Sequence, residues 1–243
     1  MPDEIVKTGC VTFVCMQLLT DFIEGQMLLF DKPLTWTSFN VVSKVRYLTK
    51  VKKVGHAGTL DPLATGLLIV CTGKFTKKIN EYMGMAKEYI GTITLGSTTP
   101  SFDLETNPEN FKDISQLTTE NIMAATKQFT GNILQMPPQH SAIKKDGKRL
   151  YESARLGIVV AVEPRPVTIY SFDIEKIELP IVHFKVACST GTYIRSLAND
   201  FGAALGVGGY MSSLCRTKIG DFKVQDALSV DDFEAAIKKL KEE

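Results

Sequence analysis

The sequence predicts an α+β fold. Apolar residues repeat at helical spacing in some segments and alternate as in strands in others, and the two kinds are interspersed without a strict βαβ rhythm. The 243 residues, 44% apolar and 23% charged, have the composition of a folded globular chain and exclude a disordered, collagen-like or coiled-coil one. At about 150 residues per domain the length gives one large domain or two small ones. A chain of this size buries roughly 70–75% of its unfolded surface, so the core needs no staples.

The elements follow in order. Residues 1–23 read as a loosely attached N-terminal extension. Within it Val11–Leu19 is weakly signal-like, but it follows Asp3 and Glu4 and lacks a basic flank. Met27–Phe30 is a short strand ending at Asp31-Lys32-Pro33. From Thr37 to about Lys50, Phe39, Val42, Val45 and Leu48 fall at helical spacing, with Thr37 or Ser38 as N-cap. Leu67–Cys71 is a continuous apolar run, read as a buried strand. Phe75, Ile79, Tyr82 and Met83 form a helix face closed by Gly84. Tyr89 to Leu95 alternates as a strand, and residues 98–116 read as a polar, acidic loop.

Farther along, Ile122, Ala125 and Phe129 stripe a helix that stops at Gly131. Residues 137–165 form an extended basic insertion with Pro137-Pro138, an Asp146-Gly147 hairpin signal and Pro164. Ile181–Cys188 is a strand. Thr192 caps a helix whose core face is Ile194, Leu197, Ala198, Phe201 and Leu205, ended by Gly206. A last helix begins at Ser229, with Asp232 completing a capping box.

Charge and cysteine content narrow the function classes. Lys plus Arg number 28 against 27 Asp plus Glu, a net +1 that excludes a globally basic protein but not a local basic face. Lys44, Arg46, Lys50, Lys52 and Lys53 fall within 41–60 with no acid among them. The insertion adds Lys144, Lys145, Lys148, Arg149 and Arg155. Two such runs beside a glycine-rich turn suggest a phosphate-backbone footprint. The five cysteines (Cys10, Cys15, Cys71, Cys188, Cys215) are odd in number and lack C-x-x-C. With three histidines this argues against a disulfide framework or a structural zinc site, and fits a reducing cytosol. No apolar run reaches the 18 or so residues a membrane span needs.

Chemistry concentrates near residue 61. Between Lys53 and Lys74 the twenty residues Val54 to Gly73 carry one formal charge, Asp61, at a glycine-rich turn before the buried strand. Two readings fit: a turn cap before Pro62, or a carboxylate held ionised by a cation. Arg195 lies in the first turn of its helix, where the macrodipole disfavours a cation, so either it leans toward a carboxylate or it faces solvent. His56 fits a turn histidine or a residue that stacks on a base. Tyr89 and Tyr193 are aromatics with a polar tip, uninformative alone. A P-loop, a dinucleotide fingerprint, a G-x-S-x-G elbow and H-E-x-x-H are all absent.

Gly55-His56-Ala57-Gly58-Thr59-Leu60-Asp61-Pro62-Leu63-Ala64-Thr65-Gly66-Leu67-Leu68 resembles the catalytic motif of the TruB family of tRNA pseudouridine synthases. Asp31-Lys32-Pro33 with Thr37-Ser38 is similar to the family's first motif, Gly73-Lys74-Phe75-Thr76-Lys77 to its G-x-x-T-K, and Lys87-Glu88-Tyr89 to its tyrosine strand. Pro137-Pro138 through Ser141–Lys144 to Tyr151–Arg155 resembles its RNA-clamping insertion, and Cys188–Arg195 its arginine motif. The likeness covers about residues 24–220.

The resemblance implies a pseudouridine synthase fold: a central, mixed, mostly antiparallel sheet flanked by helices, with a thumb inserted at about 137–165 in one catalytic domain spanning 24–243. It implies isomerisation of the T-loop uridine (position 55) of tRNA by base flipping and covalent catalysis. Asp61 is then the nucleophile, Tyr89 stacks on the flipped uracil, and Arg195 pairs with Asp61. Tyr193 and Leu214 line the uracil pocket, His56 fills the space the base leaves, and Lys77 is a charged support. Lys144, Lys145, Lys148 and Arg149 grip RNA. The expected enzyme needs no cofactor or metal and is a cytoplasmic monomer that binds the tRNA T-arm, with no guide RNA and no membrane. A synthase acting on another RNA, or an RNA-folding chaperone with incidental catalysis, are the alternatives. Two departures stand out. Thr35 occupies a position that is usually glycine in the family, and about 25 residues after Gly220 leave no room for a C-terminal PUA-type domain.

Overall fold

The computed structural model describes residues 19–141, 143–145 and 147–242. Most of the expected N-terminal extension, including all of its signal-like stretch except Leu19, lies outside them, as do Ala142 and Asp146 of the insertion. In chain order the elements are α1 (Leu19–Glu24), β1 (Met27–Lys32), α2 (Ser38–Thr49), β2 (Val54–His56), β3 (Ala64–Thr72), α3 (Ile79–Gly84) and β4 (Lys87–Leu95). There follow α4 (Thr119–Ala125), β5 (Gly131–Gln135), β6 (Lys144–Lys145), β7 (Lys148–Arg149), α5 (Leu150–Ala154), β8 (Arg165–Glu178) and β9 (Ile181–Cys188). The chain ends with α6 (Ile194–Ala204), β10 (Gly209–Ile219), β11 (Phe222–Lys223) and α7 (Val230–Glu242). They form two compact units, Met1–Met85 with Cys215–Glu243, and Ala86–Leu214. Among the described residues no helix is long and apolar enough to cross a membrane.

In the first unit β3 pairs antiparallel with β1 (Phe30 opposite Leu68, Lys32 opposite Gly66) and with β2 (His56 opposite Val70). The C-terminal part of β10 lies beside β3 and pairs with β11. β3 is buried on both faces, which explains its unbroken apolar run. Leu68 and Val70 join Phe22, Phe30, Val41, Val45 and Phe233 in one cluster. Leu67, Ile69 and Cys71 join Ala57, Tyr82 and Ile219 in another. Phe233 of α7 meets the rings of Phe22 and Phe30 edge-on, at 6.1 and 5.2 Å. Burial of a side chain of this size is worth about 1.5–3 kcal/mol.

The cap of α2 is Thr37, whose hydroxyl accepts from Asn40 N (3.0 Å) while Asn40 Oδ1 accepts from Thr37 N (2.8 Å). Phe39 does not share the helix's buried face; it is 61% exposed, and Val41, Val42, Val45 and Leu48 are buried instead. The i, i+3 repeat drifts about 60° per step, so its first member rotates off the buried arc. Met83 on α3 is likewise exposed, and α3 ends at Met85 in extended backbone without a left-handed glycine. At α7 the Ser229 hydroxyl accepts from Asp232 N (3.0 Å) and donates to Asp232 Oδ2 (2.6 Å), the expected N-terminal pairing.

In the second unit β9 pairs antiparallel with β4 (Val186 opposite Tyr89) and with β8, and β8 pairs with β5. The N-terminal part of β10 lies beside β4. α6 packs Leu197, Ala198 and Phe201 inward, and Phe201, Phe172, Phe184 and Phe129 form an edge-on aromatic cluster with centroids 5.3–6.5 Å apart. Gly206 (φ +79°) follows α6 as expected. The N-cap is Tyr193, however, not Thr192, whose hydroxyl donates to Ser189 O at 3.0 Å.

β5, β8 and β10 carry no element in the sequence reading. In β8 register shifts between Ile169 and Ser171 and between Ile174 and Lys176 break the alternation that marks a strand. The expected hairpin forms, with Lys144 opposite Arg149 and Lys145 opposite Lys148, on a base where Pro137 and Pro138 are buried.

Candidate functional site

The turn that carries Asp61 is held by the segment after β1. Ser38 Oγ accepts from Leu60 N (2.9 Å) and donates to Leu60 O (3.2 Å). Thr35 N donates to Pro62 O at 2.8 Å. Lys32 is fully buried, and its ammonium donates to Trp36 O (2.5 Å), Pro33 O (3.0 Å) and Pro62 O (3.4 Å). Residues 60 and 62 are therefore both pinned, and Asp61, partly exposed, sits between them with its carbonyl accepting from Ala64 N at 3.1 Å. The segment that holds Lys32, Thr35 and Ser38, part of it similar to a first motif, thus braces the turn that carries Asp61.

Charge in this unit is concentrated beneath the turn. Burial lowers the Lys32 ammonium from 10.5 to about 8; the Asp61 carboxylate opposes that shift and Arg216 adds to it. Asp31 Oδ1 accepts from Gly66 N at 3.1 Å. Thr35 is in the left-handed region (φ 69°), which a β-branched residue enters only under strain. The position that is usually glycine in the resembled family thus does require a glycine-like conformation. His56, on β2, is partly buried, and burial with Arg216 nearby lowers its pKa, so the imidazole is neutral at pH 7.

The second unit holds the other expected residues. Arg195 is at the second position of α6, 4% exposed, where the helix dipole opposes it. Its Nη1 lies 3.5 Å from Asp103 Oδ2, and its guanidinium also donates to Ser101 O (3.3 Å) and His140 O (2.9 Å). Arg195 therefore does lean toward a carboxylate rather than face solvent. Residues 98–116, read as an acidic loop, in fact bury Thr99, Ser101 and Asp103. The side-chain amide of buried Gln135 bonds the Tyr193 backbone on both sides, accepting from its N (2.8 Å) and donating to its O (3.0 Å). That fixes Tyr193 at the entry of α6. Tyr89 on β4 and Leu214 on β10 are buried.

The remaining cations divide. Lys44 is paired with Glu234 at 2.6 Å, and Arg46 donates to Val54 O at 2.7 Å, so these two serve the fold. Lys50, Lys52, Lys53 and Lys77 are exposed. Lys144, Lys145, Lys148 and Arg149 lie on the hairpin of the insertion. Arg155, just beyond α5, bonds Glu105 at 2.8 Å. Among the described residues, no group of three or more His, Cys, Asp or Glu could hold a metal ion. Sequence reasoning gave no site role to Lys32, Asp103, Gln135 or Arg216, and read Ser38 only as a possible N-cap. Lys32 and Ser38 were visible in the quoted motif; the others carry no local signal.

The model of the TruB family pseudouridylate synthase N-terminal domain matches residues 46–194, and that of the tRNA pseudouridylate synthase B C-terminal domain matches 195–243. A Flavobacterium johnsoniae protein called tRNA pseudouridine synthase B is 53% identical over 224 residues, covering 89% of this chain and 98% of its own. A Phocaeicola vulgatus protein of the same name is 48% identical, over 88% and 93%. Among solved structures, one of an H/ACA RNP bound to a substrate RNA containing 2′-deoxyuridine has a chain with TM-score 0.70 and 28% identity. A Cbf5-Nop10-Gar1 complex gives 0.70 and 30%. The match covers 92% and 89% of this chain but 57% and 55% of theirs. The fold is that of a pseudouridine synthase. Within that class, the chain belongs to the TruB family.

Proposed function

We propose that the chain isomerises uridine to pseudouridine in tRNA, at the T-loop uridine of position 55, with Asp61 as the covalent catalyst. The braced turn carries this reading. A carboxylate whose neighbours on both sides are pinned by a fully buried lysine and a buried serine is preorganised for chemistry. The reaction breaks the bond from N1 of uracil to the ribose carbon, turns the ring, and forms a bond from C5. The C5 proton leaves to solvent and N1 takes one up, so product and substrate are isomers and the step is redox-neutral and calls on no cofactor.

The other roles follow from the family motif and the environment of each residue. The target base is hidden in a folded loop, and flipping it costs a few kcal/mol. Tyr89 returns roughly 1–3 kcal/mol by stacking on the ring. Arg195, buried and steered by Asp103, supplies a fixed cation that keeps Asp61 ionised. Tyr193 and Leu214 line the uracil pocket. Neutral His56 fills the space left in the loop, and Lys77 supports the charge of the site. The thumb, residues 137–165, clamps the T-arm through Lys144, Lys145, Lys148 and Arg149. The proposal includes tRNA as sole partner, without a guide RNA, and a cytoplasmic monomer.

Release of tritium from a T-arm stem-loop labelled at uridine C5 tests this with purified protein and nothing added. The wild type is expected to release it and Asp61→Asn to lose release by at least a thousandfold. Release that persists in Asp61→Asn would overturn the role of Asp61. Release from another RNA but not from tRNA would favour a different substrate.

A further inference from the structure

We infer that Arg216 is a positioning residue for the Asp61 turn, a role that rests on the proposal that Asp61 is the nucleophile. Arg216 lies on the part of β10 beside β3 and is 1% exposed. A buried guanidinium is costly unless it is fully engaged. Here it bonds backbone rather than a carboxylate: Nε donates to Leu67 O at 2.8 Å and Nη2 to Gly58 O at 3.2 Å. Those two carbonyls lie on either side of Asp61, three residues before it and six after. One rigid fork thus fixes the separation of the two arms of the loop, something a flexible ammonium cannot do.

Two further observations make the fit specific. At Gly66 (φ +102°) an added Cβ would stand 2.4 Å from Arg216 O and 2.6 Å from Arg216 N. The loop therefore closes directly on the Arg216 backbone, and only glycine allows it. A Cβ at Gly58 would be 3.6 Å from Arg216 Nη1, so the guanidinium lies against the other arm as well. Among the described residues of this unit, Lys32 and His56 face the Arg216 charge, and Asp31 and Asp61 act on Lys32 in turn. Lys32 feels both Arg216 and Asp61, and His56 feels Arg216, which places the guanidinium charge within reach of the turn.

Arg216 differs from Lys32 and Ser38, which hold residues 60 and 62 next to Asp61 itself. Arg216 sets the span of the loop and adds a fixed positive charge beneath it. Loss of the fork then misplaces the carboxylate without touching RNA, and loss of the charge makes Asp61 harder to ionise.

The test compares Arg216→Lys, Arg216→Gln and Arg216→Met with wild type and Asp61→Asn in single-turnover and steady-state assays on the same labelled stem-loop. All three Arg216 variants are expected to lose about 10–100-fold in kcat while KM stays within threefold, as for a misplaced catalytic group. The acid limb of the kcat–pH profile should move to higher pH in Arg216→Met and Arg216→Gln but stay in place in Arg216→Lys, which keeps the charge. A structural role alone would not separate the variants in this way. Wild-type kcat in all three, or a loss expressed in KM, overturns the inference. So does failure of all three to fold, since Arg216 would then serve the whole unit rather than the turn. If Asp61→Asn keeps its activity, the reading of Asp61 fails instead, and the two failures are told apart by that arm.

Discussion

Thr35 shows how single residues of this chain trade stability for geometry. Its left-handed backbone (φ 69°) costs a β-branched residue about 1–2 kcal/mol, yet its N–H holds Pro62 O beside the proposed nucleophile. Thr35→Gly is expected to raise thermal stability by about 0.5–1 kcal/mol, the relief of strain exceeding the added chain entropy, with activity retained; a differential scan that shows a lower Tm would contradict this. Lys32 gives a second prediction. Its pKa falls from 10.5 in the unfolded chain to about 8 in the folded one, chiefly through burial. A cation with a lowered folded pKa destabilises the fold below that value, and the penalty fades as pH rises between the two. Denaturant melts should therefore show wild type gaining stability relative to Lys32→Met from about pH 8 to 10.5. A constant difference across that window would mean the ammonium is not desolvated. Thr35 was legible only as a departure from the family's usual glycine, and the burial of Lys32 does not show in the sequence, where a lysine reads as an ordinary surface residue.

At the scale of elements, basic residues gather on the hairpin of the insertion and just after α2. α2 contains no acid, and its outer face carries Phe39 and Tyr47, with the Lys50 ammonium 4.3 Å from the Tyr47 ring. Lys50, Lys52 and Lys53 are exposed, whereas Lys44 is tied to Glu234. Charge reversal at Lys144, Lys145 and Lys148 is expected to weaken T-arm binding by at least tenfold and to make the salt dependence shallower by about two to three phosphate contacts. Reversal at Lys50, Lys52 and Lys53 should act in the same sense, while Lys44→Glu should lower the Tm and leave RNA affinity near wild type. Titrations at several salt concentrations check this, and an unchanged slope in the thumb variant would refute the clamp. Element by element, the sequence was most legible where one physical rule dominated. β3 is apolar from Leu67 to Cys71 because both faces are covered there, and α7 announces itself by Ser229 and Asp232. β8 was hidden because its bulges interrupt the period of two, and the N-cap of α6 was misassigned because Thr192 spends its hydroxyl on Ser189.

Over the whole molecule, the expected catalytic residues divide between the two units: Asp61 with the first, Tyr89 and Arg195 with the second. Each unit preorganises its share by the same device, a buried cation whose donors meet backbone carbonyls. Lys32 and Arg216 do so in the first, and Arg195 in the second. Asp61 and Arg195 were legible in the sequence because a lone carboxylate in a glycine-rich turn and an arginine in a first helical turn are both out of place. Asp103, Gln135 and Arg216 were not, because their significance lies in partners 58 to 158 residues away along the chain. The central claim is that this chain, unaided, makes pseudouridine in the T-loop of tRNA. Its most direct test is to incubate an unmodified tRNA transcript with the purified protein, then map pseudouridine by carbodiimide labelling and primer extension. One new stop is expected, at position 55, that is absent with Asp61→Asn. Stops elsewhere in the tRNA with none in the T-loop, or no stop at all, would contradict it.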